Sequence, residues 1–109
     1  MIRRLADRPT ADRDVEEQAE FYGEDGGEEL VVRFLLAVDD AYNFIRENPR
    51  SGAPHQVRNP RLQGLRSWAV SGFEDVRVYY LQPEETLVRV VRVLHGKRDV
   101  EAILRHEHR

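Results

Sequence analysis

The chain has 109 residues, 40% hydrophobic and 34% charged, enough for one modest core and too few for two. That balance excludes a disordered chain, and the absence of cysteine removes disulfides, thiolate catalysis and cysteine-ligated zinc together. Net charge is −3 but unevenly placed: residues 1–48 hold 6 Lys+Arg against 13 Asp+Glu (−7), and residues 49–109 hold 11 against 7 (+4).

Such asymmetry points to separate faces for separate partners and away from a general nucleic-acid binder, which is basic overall. No apolar run approaches the roughly 18 residues a membrane span needs. The segment Met1 to Arg8 has positive charge with no apolar stretch behind it, so it does not read as a secretory signal. The expectation is a cytoplasmic protein with a single domain over residues 1–109 and no membrane partner.

In chain order, Ile2 to Ala6 alternates weakly and reads as a first strand. Pro9 and Thr10 open a helix, since proline suits a first helical turn. Ala11, Val15, Ala19 and Tyr22 recur at helical spacing until Gly23 and the Gly26-Gly27 pair break the pattern. A second helix carries a wide apolar stripe of Leu30, Val31, Phe34, Leu35, Val38, Ala41, Tyr42 and Ile45, and ends at Asn48-Pro49. Two amphipathic helices joined by a glycine turn form an antiparallel hairpin, whose stripes need a sheet to cover them.

Residues 49–64, with Pro49, Gly52, Pro54, Pro60 and Gly64, read as a long proline-rich loop, and loops of that length are functional or mobile. Leu65 to Ser71, Val76 to Gln82 and Leu87 to His95 read as strands, with Pro83-Glu84-Glu85-Thr86 turning between the last two. Leu87 to Leu94 is apolar on both faces, the mark of a central strand covered on two sides. Val100 to Arg105 closes the pattern as a short helix, with Asp99 placed to cap it. The fold class is α+β: a helical hairpin packed on a small, mainly antiparallel sheet, plus a short C-terminal helix.

Several polar residues admit two readings. His95, at a strand end, is a structural or contact residue first and a general acid/base second. Arg77, Arg89 and Arg92 alternate with apolar residues, as solvated strand positions do. Trp68 reads as core before it reads as a stacking platform. His106-Glu107-His108 has metal-ligand chemistry, but its terminal position favours a frayed tail.

The motifs, taken together and in order, resemble one family. Pro9-Thr10-Ala11 followed by Asp14 and Glu17, then Phe34, Glu47-Asn48-Pro49 with Gly52, then Leu65-Arg66 followed by Tyr79-Tyr80, all match it. The most specific piece is Arg92-Val93-Leu94-His95-Gly96-Lys97-Arg98-Asp99. Over about the whole chain this resembles the RelE/ParE superfamily of type II toxin–antitoxin toxins, closest to its ParE branch.

That resemblance implies one of two activities: ribosome-dependent mRNA cleavage in the RelE branch, or poisoning of DNA gyrase in the ParE branch. Against the RNase pattern, Arg77 and Arg98 fall on its arginines, with His95 as a third candidate. Two strand lysines of that pattern have no counterpart in Leu65 to Ser71, and Leu104 stands where it has a tyrosine. Cleavage by a 2′-hydroxyl needs an acid or base and several cations on the phosphate. The ParE reading is therefore preferred: a gyrase inhibitor of the plasmid-stabilisation type, with no catalytic residue, cofactor or metal. It would be neutralised by a ParD-like antitoxin encoded next to it, as a hetero-oligomer. The RelE-like endonuclease is the alternative, and a non-toxic interaction module that keeps the fold is the third reading.

The expected target contact is Arg77, Arg92, His95, Lys97 and Arg98, converging on one basic patch. The expected antitoxin contact is Tyr22, Leu30, Phe34, Val38 and Tyr42 along the helical hairpin.

Overall fold

The computed structural model describes residues 2–107. In chain order these form β1 (Arg4–Asp7), α1 (Pro9–Glu47), β2 (Ala53–Pro54), a 3₁₀ turn (Pro60–Leu62), β3 (Arg66–Val70), β4 (Phe73–Glu84), β5 (Leu87–His95) and α2 (Val100–Arg105). The strands make one sheet in the order β1-β5-β4-β3-β2, with β1 parallel to β5 and every other pair antiparallel.

β5 is an interior strand, between β1 and β4, as its two-faced apolar pattern requires. Val88, Val90 and Val93 pack toward α1, while Val91 and Leu94 face a second cluster with Leu62, Leu65, Tyr79, Leu81 and Leu104. Both faces of the sheet are thus covered, α1 over one and α2 with the 57–65 segment over the other. β4 continues through Pro83 to Glu84, so the hairpin turn is only Glu85-Thr86, tighter than the four-residue turn expected. The register shifts between Leu81 and Glu84, and a bulge of that kind accepts a proline that a regular ladder would reject.

α1 is helical by hydrogen bonding over 39 residues, but Gly27 sits at φ 74°, ψ −171°, outside helical space. A straight helix of that length would run about 58 Å, beyond the molecule's greatest extent of 38 Å. The chain therefore reverses at Gly27, where a residue with a Cβ would be strained, and the two arms form the expected hairpin. Gly23, expected to break the first helix, stays helical. Its Cβ position lies 3.1 Å from a Val31 methyl, so the glycine permits close approach of the two arms. Tyr22 on the first arm meets Phe34 on the second at 5.0 Å between ring centroids, and both reach Phe73 of β4.

The ends of the hairpin are fastened by specific bonds. Asn48 closes α1 by donating from both backbone and side chain to the Phe44 carbonyl. Arg3 donates to the Arg46 and Glu47 carbonyls at the negative end of the helix and to the Glu85 carbonyl of the β4–β5 turn. The Asn48-Pro49…Gly52 exit acquires its physical meaning from Tyr80. The Tyr80 hydroxyl donates to the Pro49 carbonyl at 2.8 Å and accepts from the Gly52 N–H at 3.0 Å, all buried. A Cβ on Gly52 would collide with that hydroxyl and stand 2.9 Å from the Ser67 carbonyl, which excludes larger residues.

The 49–64 segment is more ordered than a mobile loop. β2 pairs Ala53 and Pro54 with Ser67 and Arg66, and Asn59, only 7% exposed, donates to the Leu104 and Glu107 carbonyls. Its side chain thereby fixes the end of α2 to the underside of the sheet. Trp68, expected in the core, is half-buried on β3 and stacks on Phe44 at 4.4 Å, 17° from parallel.

Candidate functional site

β5 runs out at His95, opposite Val76, and the chain leaves through Gly96-Lys97-Arg98-Asp99. Three backbone–backbone bonds and one from a backbone N–H to a side chain hold the corner. Gly96 N–H donates to the Asp75 carbonyl at 2.7 Å, Arg98 N–H to the His95 carbonyl at 3.1 Å, and Val100 N–H to the Arg98 carbonyl at 2.8 Å. Lys97 N–H donates to His95 Nδ1 at 3.1 Å, so the neutral ring carries its proton on Nε2, free to donate outward. Asp99 caps α2 as the sequence predicts, accepting from Ala102 N–H at 3.2 Å. The side chains of Lys97 and Arg98 are exposed, with no hydrogen-bond or ion-pair partner among the described residues.

This corner faces the first arm of α1 across a groove of about 300 Å³ lined by Asp14, Glu17, Gln18, Phe21, Val93, His95, Lys97 and Arg98. Phe21 is 59% exposed at its rim. The groove thus offers two cations, one imidazole N–H and one bare aromatic ring side by side, with the Glu17 carboxylate as the local counter-charge.

Of the five residues expected to converge, the structure brings together His95, Lys97 and Arg98 and separates the other two. Arg92 is held inside the protein. It grips both oxygens of the Asp14 carboxylate, Nε to Oδ2 at 2.7 Å and Nη2 to Oδ1 at 2.8 Å, and donates from Nη1 to Glu107 at 2.9 Å. Asp14 Oδ2 also accepts from the Val93 N–H at 3.0 Å. β1 stops pairing with β5 at Val90, so beyond that point the edge of β5 lacks a strand partner and the helix carboxylate completes it. Those bonds raise Arg92 further above its ordinary range, Asp14 contributing most, against an opposing effect of burial. Glu107 also meets Arg8 at 3.6 Å and its side chain is 9% exposed. The frayed tail expected there is therefore corrected at Glu107, which is a pinned structural residue; His108 lies outside the described residues. Among the described residues no group of His, Asp or Glu side chains is placed to hold a metal.

Arg77 pairs with Leu94 across β4 and β5, on the α2 face of the sheet, whereas His95 shares its face with Val93 toward α1. The two cannot meet on one phosphate. Arg77 instead donates from Nε to Ser67 Oγ at 2.8 Å, and His55 Nε2 lies 2.6 Å from the same hydroxyl. Burial, and secondarily the Arg77 charge, lowers the His55 pKa, so this ring is neutral near pH 7. His55 and Ser67 escaped the sequence reading because only the fold brings residue 55 to the strand pair.

The residues of the expected antitoxin stripe lie mostly inward. Phe34 and Val38 are 0% and 3% exposed and belong to the core against the sheet. Tyr22 is half-buried in the aromatic cluster with Phe34 and Phe73, and Leu30 and Tyr42 are half-buried. Burial above all, with the acidic neighbours Asp7, Asp12, Asp14 and Asp39, holds the Tyr42 phenol well above its usual range. The apolar surface that does face outward is Val32, Leu35 and Leu36, 49%, 41% and 58% exposed. Their i, i+3, i+4 spacing on the opposite side of the second arm was the signal, masked by the longer core stripe.

Comparisons with known proteins agree with this architecture. A solved structure described as the chromosomal ParDE TA system from P. aeruginosa superposes with a TM-score of 0.68 at 12% identity, covering 86% of this chain and 96% of that one. At that identity the likeness concerns the fold. No curated protein matches. The family described as "ParE toxin of type II toxin-antitoxin system, parDE" matches residues 8–100. With its motif-bearing corner, its helical hairpin and that match over most of its length, the chain belongs to the ParE family of type II toxin–antitoxin toxins.

Proposed function

We propose that this toxin inhibits DNA gyrase by direct contact through the exit corner, and that a ParD-like antitoxin encoded beside it neutralises it. The observation carrying the first part is the groove beside β5, where Lys97 and Arg98 stand unpaired next to the His95 Nε2–H and the exposed Phe21 ring. Unpaired cations around an accessible aromatic anchor are what a protein-contact surface needs. The separation of Arg77 from His95 and Arg98 across the sheet supports binding over phosphodiester cleavage, since cleavage needs these groups around one phosphate.

For the antitoxin, the outward Val32, Leu35 and Leu36 row lies among Glu28, Glu29, Asp39 and Asp40. A helix with an apolar stripe and basic flanks complements that surface. Toxin and antitoxin contacts then occupy different faces, as the uneven charge implied.

The deciding experiment induces the chain alone and scores DNA supercoiling and the SOS response against translation arrest, with purified protein tested in a gyrase supercoiling assay. The expected result is filamentation, gyrase-linked DNA breaks and inhibition in vitro with intact mRNA. Codon-specific mRNA cuts at the ribosome, with gyrase unaffected, would overturn the gyrase reading.

A further inference from the structure

Away from the exit corner, a second cleft of about 340 Å³ opens where the α1 exit, the 3₁₀ turn and the strands β3, β4 and β5 meet. Four arginines line it, Arg50, Arg61, Arg66 and Arg89, and no carboxylate does. Arg66 uses Nη1 on the Gly52 carbonyl at 2.7 Å, which fixes its guanidinium at the wall. Arg50, Arg61 and Arg89 have no side-chain hydrogen bond or ion pair among the described residues. This differs from Arg92 on the same strand as Arg89, which is saturated by two carboxylates.

Four like charges around one concavity repel each other, and their attraction to solvent alone does not explain their gathering from four separate elements. The chain is acidic overall, so the arrangement is no by-product of a basic composition. Guanidinium donors match the paired oxygens of a phosphate, and the half-buried Arg66 and Arg89 sit where such bonds are less screened. The flanking Gln63 and Gln82 amides add neutral donors suited to sugar or base edges, and Tyr80 and Pro83 supply apolar wall.

We propose that this arginine cleft binds the phosphodiester backbone of a nucleic acid, at a site distinct from the exit corner. The proposal does not rest on the gyrase reading and implies no cleavage. Arg50 and Arg61 at the exposed mouth attract the strand, while Arg66 and Arg89 clasp a phosphate at the wall.

The test uses the full chain and a fluorescein-labelled single-stranded oligonucleotide, followed by anisotropy across a salt series. The double variant Arg61→Gln/Arg89→Gln should bind at least tenfold more weakly than the parent. Its plot of log affinity against log salt should be shallower by roughly 1.4, the change for two lost phosphate contacts on a single strand. Arg33→Gln, an exposed change on the second arm of α1, should leave binding untouched. Thermal melts check that both variants fold, and Arg61→Gln alone, at an exposed position, keeps the test valid if the double variant does not. Unchanged binding in Arg61→Gln and in a folded double variant would overturn the proposal. So would displacement of the oligonucleotide by poly-glutamate of equal charge as readily as by unlabelled oligonucleotide, because the cleft would then be a site for an acidic peptide. Inorganic phosphate competing only at far higher concentration supports the polymer as ligand; phosphate competing as well as the oligonucleotide overturns it.

Discussion

Arg92 and Arg98 lie on one strand and its exit, in one motif, yet the structure gives them opposite circumstances. Arg92 is enclosed by Asp14 and Glu107, its side chain 15% exposed. Arg98 stands in solvent with no partner among the described residues. The difference arises from distance along the chain: Asp14 is 78 residues from Arg92, brought there because β1 runs beside β5 and feeds directly into α1. A cation's circumstances follow from the carboxylates that the topology delivers to it, and the same residue type in one motif divides into a clamp and an unpaired surface charge.

The sharpest way to break that comparison is to cut the clamp. Removing one partner of a buried ion pair costs about 3–5 kcal/mol, because the other charge is left uncompensated. Asp14→Ala should reach the lower end of that range, since it takes the bidentate partner from Arg92, leaving Glu107 alone, and also leaves the Val93 N–H without its acceptor. At about 4 °C or more per kcal/mol, the melting point should fall by upwards of ~12 °C. Toxicity and antitoxin binding should be lost together, as befits unfolding. A melt within two or three degrees of the parent's would show that the network stabilises little.

Arg98→Ala tests the other side. An exposed substitution changes stability by about 0.5 kcal/mol or less, while loss of an interface arginine costs ~2 kcal/mol, near thirtyfold in affinity. The variant should melt with the parent, still be captured by the antitoxin, and inhibit gyrase far less. Arg77→Ala sharpens the contrast. Its side chain bonds Ser67 on the α2 face, so inhibition should persist through a small loss of stability. Equal loss of inhibition in both variants would place the target contact across both faces of the sheet and refute the exit-corner reading.

The amount of this that could be read in the sequence depended on locality. Leu87–His95 and Val100–Arg105 match the expected bounds because alternation, two-faced apolarity and the Asp99 cap are all properties of adjacent residues. The hairpin was legible through Gly27, and the fold class with it. The two-residue β2, held by pairing with β3 and not by its own Ala-Pro pattern, was not. At the site, the half-buried His95 with the exposed Lys97 and Arg98 was legible because a short turn keeps the three together. The engagement of Arg92 and the opposite face of Arg77 depend on long-range pairing, which alternation does not encode, whereas the core position of Phe34 and Val38 follows from the helical stripe that needs a sheet to cover it. A bulge also matters: the register shift between Tyr79 and Tyr80 places both Val91 and Arg92 against one stretch of β4, so simple counting of alternate residues fails across it.

A milder prediction separates the two proposed partner faces. Leu36→Glu puts a charge in the exposed apolar row of the second arm, where no core contact is lost. Antitoxin affinity should drop by about tenfold, ~1.4 kcal/mol, with gyrase inhibition and melting unchanged. Titrating antitoxin into the supercoiling assay reads both at once. Neutralisation at parental concentrations would move the antitoxin to another surface.

The smallest effect concerns the acidic pair where β1 passes into α1. Asp12, in the first turn of α1, shares a proton with Asp7 at the end of β1, and this hydrogen bond above all lifts its pKa from 3.8 to about 6. The sign follows from linkage: the folded state holds that proton more tightly than the unfolded chain, so the pair stabilises fully below pH ~4 and loses that contribution as pH rises through about 6. Because Asp12 is exposed, solvent screening keeps the consequence modest. Asp12→Asn retains a donor toward Asp7 without the second negative charge. The variant should melt near the parent at pH 4.5 and slightly above it at pH 7.5, with Arg98-dependent inhibition unaltered. A melting difference that does not change between those two pH values would mean that the carboxylates repel too weakly to share a proton, and that the acidic pair is independent of pH over this range.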